Sequence, residues 1–235
     1  MSGDAAKRLV AEAGAGLVET GMVVGLGSGS TAELMVAALG ARLRAGLTIA
    51  GAVPTSRRTA DLAQAHGIPL VALDTHPTVD LTLDGADEVA RGTLDLVKGL
   101  GGALLREKIV AAASRRLVVM VDESKLVDRL GTRAPVPVEV VPFGWPVAEA
   151  GLLRLGARAV RRRLRADGAD FVTPDFVTDE GNLIADADFG PIADPAATER
   201  AIRMTTAVVD CGLFVGRTDL VLVGTPRGVE RLPTG

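Results

Sequence analysis

Aromatic side chains are scarce in this sequence: they make up 3% of its 235 residues, and tyrosine is absent. Proteins that bind nucleic acid usually carry a basic surface, and those that bind single strands stack the bases on aromatic rings. The chain instead has a formal net charge of −3. We therefore expect no nucleic acid among its partners.

Cysteine is almost missing as well, because Cys211 stands alone. A single cysteine excludes an intrachain disulfide, and its apolar neighbours predict a small buried side chain in a strand. No apolar run reaches the ~18 residues of a membrane span. The segment Met1–Asp4 carries an acid and lacks the apolar run of a signal peptide. We expect a cytoplasmic location and no membrane partner.

Apolar residues, by contrast, make up 48% of the chain, enough for a substantial core. Up to about residue 121, apolar runs without polar alternation are separated by segments with helical periodicity. The runs predict strands at 22–24, 47–53, 70–73, 79–83, 94–97 and 117–121, and the periodic segments predict helices at 4–19, 31–43, 56–66 and 104–113. This order predicts an α/β fold with a parallel sheet covered by helices on both faces.

From about residue 130 the pattern changes, because prolines interrupt the chain. The pattern predicts a small α+β insert with helices at 147–155 and 194–203 and strands at 157–165, 176–177 and 182–185. Two later apolar segments, 207–209 and 220–223, are expected to return to the first sheet. The run Arg158–Arg165 holds five arginines and is interpreted as a solvated face or an interface.

The first motif with chemical content is Gly25-Leu-Gly-Ser-Gly-Ser-Thr31, between a predicted strand and a predicted helix. Glycines let a backbone turn tightly, and a helix N-terminus adds N–H donors and partial positive charge. The motif therefore predicts a phosphate cradle, or else a plain tight turn. A P-loop would need a lysine before the Ser/Thr, and a dinucleotide site would need an acid after the second strand. Neither is present, which favours a smaller phosphoester.

The second motif, Asp84-Gly-Ala-Asp-Glu88, follows an apolar strand. Ligands of open parallel sheets bind at the carboxyl ends of strands. Asp84 and Asp87 thus suit proton transfer or hydroxyl recognition, although an acidic surface turn has the same pattern. No His or Cys lies near them to suggest a transition-metal site.

The third motif, Lys98-Gly-Leu-Gly-Gly102, precedes the helix that carries Glu107. A lysine and a glycine run before a helix are typical of anion binding. Glu107 lies on a largely apolar helix face, so its carboxylate would be partly desolvated and a stronger base. A salt-bridged glutamate on an exposed helix is the alternative. A phosphate cradle, two carboxylates, a lysine and a glutamate together suit proton transfer beside a carbonyl.

These three motifs resemble the type A ribose-5-phosphate isomerase family. Further matching segments are 122–125 (Asp-Glu-Ser-Lys), 137–140 (Pro-Val-Glu-Val), 178–182 (Thr-Asp-x-Gly-Asn) and 224–229 (Gly-Thr-Pro-x-Gly-Val). The similarity runs over nearly the whole chain, and the combination of motifs is specific. Segment 161–175 departs from the family pattern, Ser28 replaces a common threonine, and Leu100 replaces a common glycine.

The resemblance implies a Rossmann-like catalytic domain, residues 1–130 and 206–235. It also implies a small inserted α+β (ferredoxin-like) lid domain, residues 131–205. It further implies a homodimer or homotetramer, no cofactor and no metal. The implied activity interconverts D-ribose 5-phosphate and D-ribulose 5-phosphate through an enediolate, in the pentose phosphate pathway.

The resemblance also implies a set of site residues. Glu107 is the implied proton acceptor, with Asp84, Asp87 and Lys98 as further catalytic residues. The implied substrate-binding residues are Lys7, Ser28, Gly29, Ser30, Thr31, Asp84, Gly85, Ala86, Asp87, Lys98, Gly99, Leu100, Gly101 and Lys125. Deaminases, lactonases and coenzyme A transferases on the same scaffold, and a non-catalytic sugar-phosphate sensor, are the alternatives.

Overall fold

The computed structural model describes residues 3–165 and 175–233. Its helices are α1 Gly3–Ala15, α2 Ser30–Arg44, α3 Arg57–Ala65, α4 Leu104–Ala112, α5 Trp145–Arg154 and α6 Pro195–Arg203. Its strands are β1 Val23–Leu26, β2 Gly51–Pro54, β3 Leu81–Asp84, β4 Glu88–Ala90, β5 Leu96–Val97, β6 Leu117–Asp122, β7 Leu126–Val127, β8 Val136–Val140, β9 Ala159–Arg162, β10 Leu183–Asp188, β11 Val208–Cys211, β12 Leu213–Phe214, β13 Leu220–Thr225 and β14 Gly228–Pro233.

Two compact units make up the described chain. The first contains residues 3–86, 106–126 and 216–233, and the second contains residues 87–105, 127–165 and 175–215. The limits predicted from the sequence, at 130/131 and 205/206, stay a prediction. Of the divergent segment 161–175, residues 166–174 lie outside the described residues.

A six-stranded sheet in the order β14-β13-β6-β3-β1-β2 forms the centre of the first unit. The strands from β13 to β2 are parallel, and β14 joins by an antiparallel hairpin. Strand β1 is buried at every position, as strands covered on both faces are. This confirms the predicted α/β class. The strand predicted at 70–73 is reduced to a single bridge between Leu70 and Ala52.

Local sequence signals set several helix ends. Ser56 caps α3 by accepting a hydrogen bond from the Thr59 N–H at 3.0 Å. Asp194 caps α6 in the same way, accepting from the Ala197 N–H at 2.9 Å, and Pro195 occupies the first position of that helix. These caps are readable in the sequence because they depend on neighbouring residues only.

The second unit is built on two smaller sheets, with the orders β11-β8-β10-β9 and β12-β5-β4-β7. The first is antiparallel and carries α5 and α6 on a core that includes Trp145, Leu152 and Ile202. Cys211 belongs to this core and is fully buried, as predicted.

The assignment of residues 207–209 to the parallel sheet was wrong. Strand β11 pairs with β8, with Val208 opposite Val140 and Cys211 opposite Val138. Strand β8 is buried at every residue and is flanked on its other side by β10, so it needs a second neighbour to satisfy its backbone. Of the two predicted segments, only 220–223, which lies in β13, joins the parallel sheet.

Glu139 is a fully buried carboxyl, one residue before the end of β8. Its Oε1 accepts hydrogen bonds at 2.9 Å from Thr178 Oγ1 and Asn182 Nδ2. Its Oε2 is buried without a hydrogen-bond partner among the described residues. Burial raises the pKa of Glu139 above its usual 4.5, and the charges of Glu180 and Asp210 act in the same direction, against the two hydrogen bonds.

The pKa of Glu139 is raised in the folded chain. The contribution of this carboxyl group to stability is therefore fully present below about pH 4.5, and it is lost as the pH rises through the folded-state pKa. Glu139→Gln, which keeps an acceptor for Thr178 and Asn182, removes this dependence. We expect the free energy of unfolding of the wild type to fall relative to the variant, by up to about 1.4 kcal/mol per pH unit.

Urea denaturation of both proteins between pH 4.5 and pH 8 measures this difference. Glu149→Gln, on α5 of the same unit, is the matched control and should keep a constant offset from the wild type. If the free energy of unfolding of Glu139→Gln also differed from that of the wild type by a constant amount at every pH, the raised pKa of Glu139 would be contradicted.

Candidate active site

The glycine loop between β1 and α2 is shaped by two glycines with different roles. Gly29 has a φ of 91°, a conformation that side chains with a Cβ rarely adopt. A Cβ on Gly27 would overlap the carboxyl group of Asp84. Glycine at position 27 therefore allows that carboxyl group to lie directly against the loop backbone.

Asp84 ends β3 and is buried. Its Oδ1 accepts hydrogen bonds from the N–H of Ser28 at 3.1 Å and from the N–H of Gly85 at 2.7 Å. The first acid of the second motif is thus joined to the glycine loop within one unit. Gly85 and Ala86 follow as half-buried residues.

The hydroxyl group of Ser28 lies in a cluster of hydroxyl groups that the sequence did not reveal. Its Oγ is 2.8 Å from Thr55 Oγ1, 2.9 Å from Ser56 Oγ and 3.2 Å from Thr59 Oγ1. Thr59 in turn donates to the Gly27 carbonyl. The sequence pattern predicted Ser56 only as a helix cap. Its contact with Ser28 was not predictable, because the fold alone brings the end of β2 next to the glycine loop.

Lys7, Ser30 and Lys125 come together in the first unit. Lys7 Nζ donates to Ser30 Oγ at 3.1 Å, at the start of α2. A cavity of about 410 Å³ is lined by both lysines. Its other lining residues are Gly3, Ala6, Asp122, Glu123, Ser124, Gly224 and Pro226. The two ammonium groups and the nearby helix N-terminus suit an anion, and the acids Asp122 and Glu123 line the same cavity. Thr31 lies one residue further along α2 and is buried.

The acids of the second motif have three separate structural roles. Asp84 holds the glycine loop, as described above. Asp87 Oδ2 accepts the N–H of Leu100 at 2.9 Å. Glu88 is fully buried and accepts backbone N–H groups of residues 131, 133 and 134 at 2.5 to 2.9 Å. Glu88 therefore holds the backbone of residues 131–134, and Asp87 holds the backbone of the third motif.

The lysine loop, residues 98–102, leaves β5 in the second unit. Gly99 and Gly102 have φ values of 97° and 85°, so glycine is favoured at both positions. The N–H of Gly102 donates to the Gly99 carbonyl at 2.9 Å, which closes the turn. Leu100 and Gly101 are exposed at its tip.

Lys98 is buried, with 2% of its surface exposed. Its Nζ lies 5.6 Å from the centroid of the Phe214 ring, within the range of a cation–π interaction. Its backbone N–H donates to the Gly212 carbonyl at 2.8 Å. An aromatic face stabilises a cation without neutralising it, so the ammonium group of Lys98 is suited to stabilising a negative charge on a ligand. Nothing in the sequence pattern indicated Phe214 as a neighbour, because it lies 116 positions from Lys98.

Glu107 lies in the first turn of α4 and is 5% exposed. Val110, on the same helix, is also buried. The predicted burial of this carboxyl group is confirmed, and the alternative of an exposed helix position is wrong. Its role as a base stays a prediction.

The described residues contain no group of three or more His, Cys, Asp or Glu side chains arranged to hold a metal ion. None of the described helices is both long and apolar enough to cross a membrane. The features of the first unit are a parallel sheet, an acid at a strand end and a glycine loop before a helix. Together they are typical of α/β enzymes that bind small anionic substrates.

Comparison with known proteins narrows this class. The model of the ribose 5-phosphate isomerase A (phosphoriboisomerase A) family matches residues 51–228. A ribose-5-phosphate isomerase A of Gloeobacter violaceus is 53% identical over 97% of this chain and 96% of its own length. The solved ribose 5-phosphate isomerase A of Methanocaldococcus jannaschii is 43% identical with a TM-score of 0.92, covering 99% of this chain and 100% of its own.

A further solved relative is a D-ribose-5-phosphate isomerase in complex with phospho-erythronic acid. It is 37% identical with a TM-score of 0.94, covering 99% of this chain and 100% of its own. The chain belongs to the ribose 5-phosphate isomerase A family, and it is an isomerase. The resemblance inferred from the motifs is confirmed.

Proposed function

We propose that this enzyme interconverts D-ribose 5-phosphate and D-ribulose 5-phosphate by proton transfer through an enediolate. The cavity lined by Lys7 and Lys125 is the observation that carries the proposal, because two ammonium groups near the N-terminus of α2 suit a phosphate group. Full-length relatives with this activity in their names, and one in complex with a phosphorylated sugar acid, support the same substrate class.

The chemistry requires a base, a charge stabiliser and a second proton carrier. Glu107 removes the proton from C2, and the electrons of that bond form the C1–C2 double bond while the aldehyde oxygen becomes negative. Lys98 and backbone N–H groups of the loops stabilise this charge. Asp84, helped by Asp87, moves a proton from O2 to O1. Glu107 exchanges its proton with solvent and then protonates C1, which leaves the ketose.

The phosphate group is assigned to Lys7, Lys125 and the N-terminus of α2. Lys7 is held by Ser30 at the first residue of that helix, so a phosphate there meets an ammonium group and free N–H donors together. The hydroxyl group of Ser28 is bonded to other side chains, and its backbone N–H to Asp84. Ser28, Gly29 and Thr31 remain predicted substrate contacts of this loop.

The test is conversion of ribose 5-phosphate by the purified chain in excess chelator, with ketose formation as the measurement. We expect turnover by the wild type without added metal. We also expect Lys7→Met and Lys125→Met each to raise KM by about 10- to 100-fold with a smaller change in kcat, because a charge-assisted hydrogen bond to the phosphate contributes about 1.5–3 kcal/mol.

Arg8→Met is the matched control, because Arg8 neighbours Lys7 on α1 but is exposed and does not line the cavity. It should leave KM unchanged. Inorganic phosphate should inhibit the wild type competitively and inhibit both lysine variants less. An inactive wild type would contradict the proposed reaction, and unchanged KM values in both lysine variants would contradict the phosphate site.

We further propose that the enzyme acts in the cytoplasm, in the pentose phosphate pathway, as a homodimer or homotetramer. The family resemblance supports these predictions, and a single free, buried cysteine is consistent with a reducing compartment. Size-exclusion chromatography with light scattering measures the oligomeric state.

A further inference from the structure

Arg163 stands apart within the basic run 158–165 because its guanidinium group is directed into the second unit. Its side chain is only 12% exposed. Nε donates to Asp186 Oδ2 at 3.0 Å, and Nη2 donates to the other oxygen of the same carboxylate. Nη1 donates to the carbonyls of Gly99 at 2.9 Å and Leu100 at 2.8 Å. One planar group thus joins Asp186 to the lysine loop.

The strand arrangement fixes the position of this guanidinium group. The backbone N–H of Arg163 donates to the Ile184 carbonyl at 2.9 Å, so the residue is tied to β10 directly after β9. Asp186 lies on β10 as well, and β10 is paired on both sides, with β8 and β9. An arginine can bind a carboxylate with two parallel bonds and keep further donors for other oxygens, which a lysine cannot.

The consequence for the lysine loop follows from peptide geometry. The Gly99 carbonyl and the Leu100 N–H belong to one peptide group, and Arg163 binds the first while Asp87 binds the second. The next peptide group has its Leu100 carbonyl on Arg163. In a trans peptide the N–H points opposite to the carbonyl, so the Gly101 N–H is directed away from the guanidinium group.

A second contact reaches the loop from the same place. The N–H of Phe176 donates to the Arg163 carbonyl at 2.9 Å. Its ring lies so close to Gly102 that a Cβ there would overlap it. Phe176 thus packs against the end of the lysine loop, and Arg163 binds the middle of the same loop. Both contacts restrict the conformations of residues 99–102.

We propose that Arg163 is a positioning residue for the isomerisation: it holds the carbonyls of Gly99 and Leu100 so that the Gly101 N–H faces the substrate. This rests on the proposed function, in which backbone N–H groups of this loop stabilise the enediolate. Without Arg163 the Leu100 carbonyl loses its hydrogen bond and can rotate, whereas the Gly99 carbonyl still accepts the Gly102 N–H. A carbonyl oxygen turned toward a developing negative charge would repel it.

The test uses the full chain and compares Arg163→Met with Arg161→Met. Both arginines come from the same run and line the same cavity of about 490 Å³, but Arg161 is exposed and forms no hydrogen bond to the lysine loop in the described part of the chain. Steady-state kinetics with ribose 5-phosphate give kcat and KM. Hydrogen–deuterium exchange of the peptide covering residues 98–104, without substrate, reports loop order. Thermal unfolding reports stability.

For Arg163→Met we expect kcat to fall about tenfold with little change in KM, because the lost alignment matters mainly in the transition state. Exchange in residues 98–104 should become about tenfold faster. Arg163→Lys should recover part of both losses. Arg161→Met should match the wild type in both measurements, and equal unfolding temperatures of the two methionine variants exclude a general loss of stability.

Three results would overturn the proposal: unchanged exchange in Arg163→Met, equal effects in Arg161→Met, or faster exchange with unchanged kcat. If the wild type itself fails to convert ribose 5-phosphate, the proposed reaction fails. The exchange comparison then still decides whether Arg163 holds the loop, so the two failures are distinguishable.

Discussion

Glu107→Gln should lower kcat for ribose 5-phosphate by at least about 10²- to 10⁴-fold, the usual contribution of a general base, with a modest change in KM. Glutamine has the shape of glutamate but cannot accept a proton from carbon. Glu107 is 5% exposed in the first turn of α4, so in the proposed mechanism few water molecules compete with the substrate for its carboxylate.

A second measurement separates proton transfer from binding. Turnover in deuterium oxide should place deuterium on C1 of the ketose in the wild type, and Glu107→Gln should lose this incorporation together with kcat. Glu12→Gln, an exposed glutamate on α1, is the control and should retain both. Near-normal turnover by Glu107→Gln would exclude this residue as the base.

Interactions between near neighbours were predictable from the sequence. Ser56 forms the predicted N-cap of α3 because its partner, Thr59, lies three residues away. Helical periodicity placed Glu107 on a largely apolar face, since residues three or four positions apart share a face, but it left an exposed position as the alternative. The parallel sheet followed in the same way from apolar runs such as Leu117–Asp122, which is buried over its first five residues.

Pairing between distant segments was not predictable in the same way. The apolar segment at 207–209 fits either sheet, and its place beside β8 is decided by the backbone groups of β8. Strand β4 was missed because it is three residues long and begins with Glu88, whose burial depends on N–H groups more than 40 positions away. An acid in a strand is normally evidence against burial.

The candidate site shows the same division. Each motif predicted its own loop, but nothing local predicted that Asp87 would bind the Leu100 N–H or that Phe214 would lie beside Lys98. Arg163 was indistinguishable from its neighbours in a run of arginines. Its inward direction depends on Asp186 and on two carbonyls of another loop, contacts that only the folded chain provides.

Lys98→Ala should lower kcat by about 10²- to 10³-fold, the cost of removing one preorganised charge from a developing oxyanion. The ammonium group is buried and lies 5.6 Å from the Phe214 ring centroid. In such surroundings its field is screened less than in water. Because the enediolate carries more negative charge than the bound aldose, the loss should fall on kcat more than on KM.

Rescue by a small amine makes the Lys98 prediction specific. Methylammonium should restore part of the activity of Lys98→Ala, since the shortened side chain leaves space for a cation, and should not affect the wild type. Lys108→Met is the control, because Lys108 is also buried but has no assigned role, so its removal tests stability alone. If Lys98→Ala retains kcat, or if Lys108→Met loses as much, charge at position 98 does not stabilise the intermediate. If methylammonium restores kcat without changing the unfolding temperature, the ammonium group of Lys98 stabilises the transition state and not the folded chain.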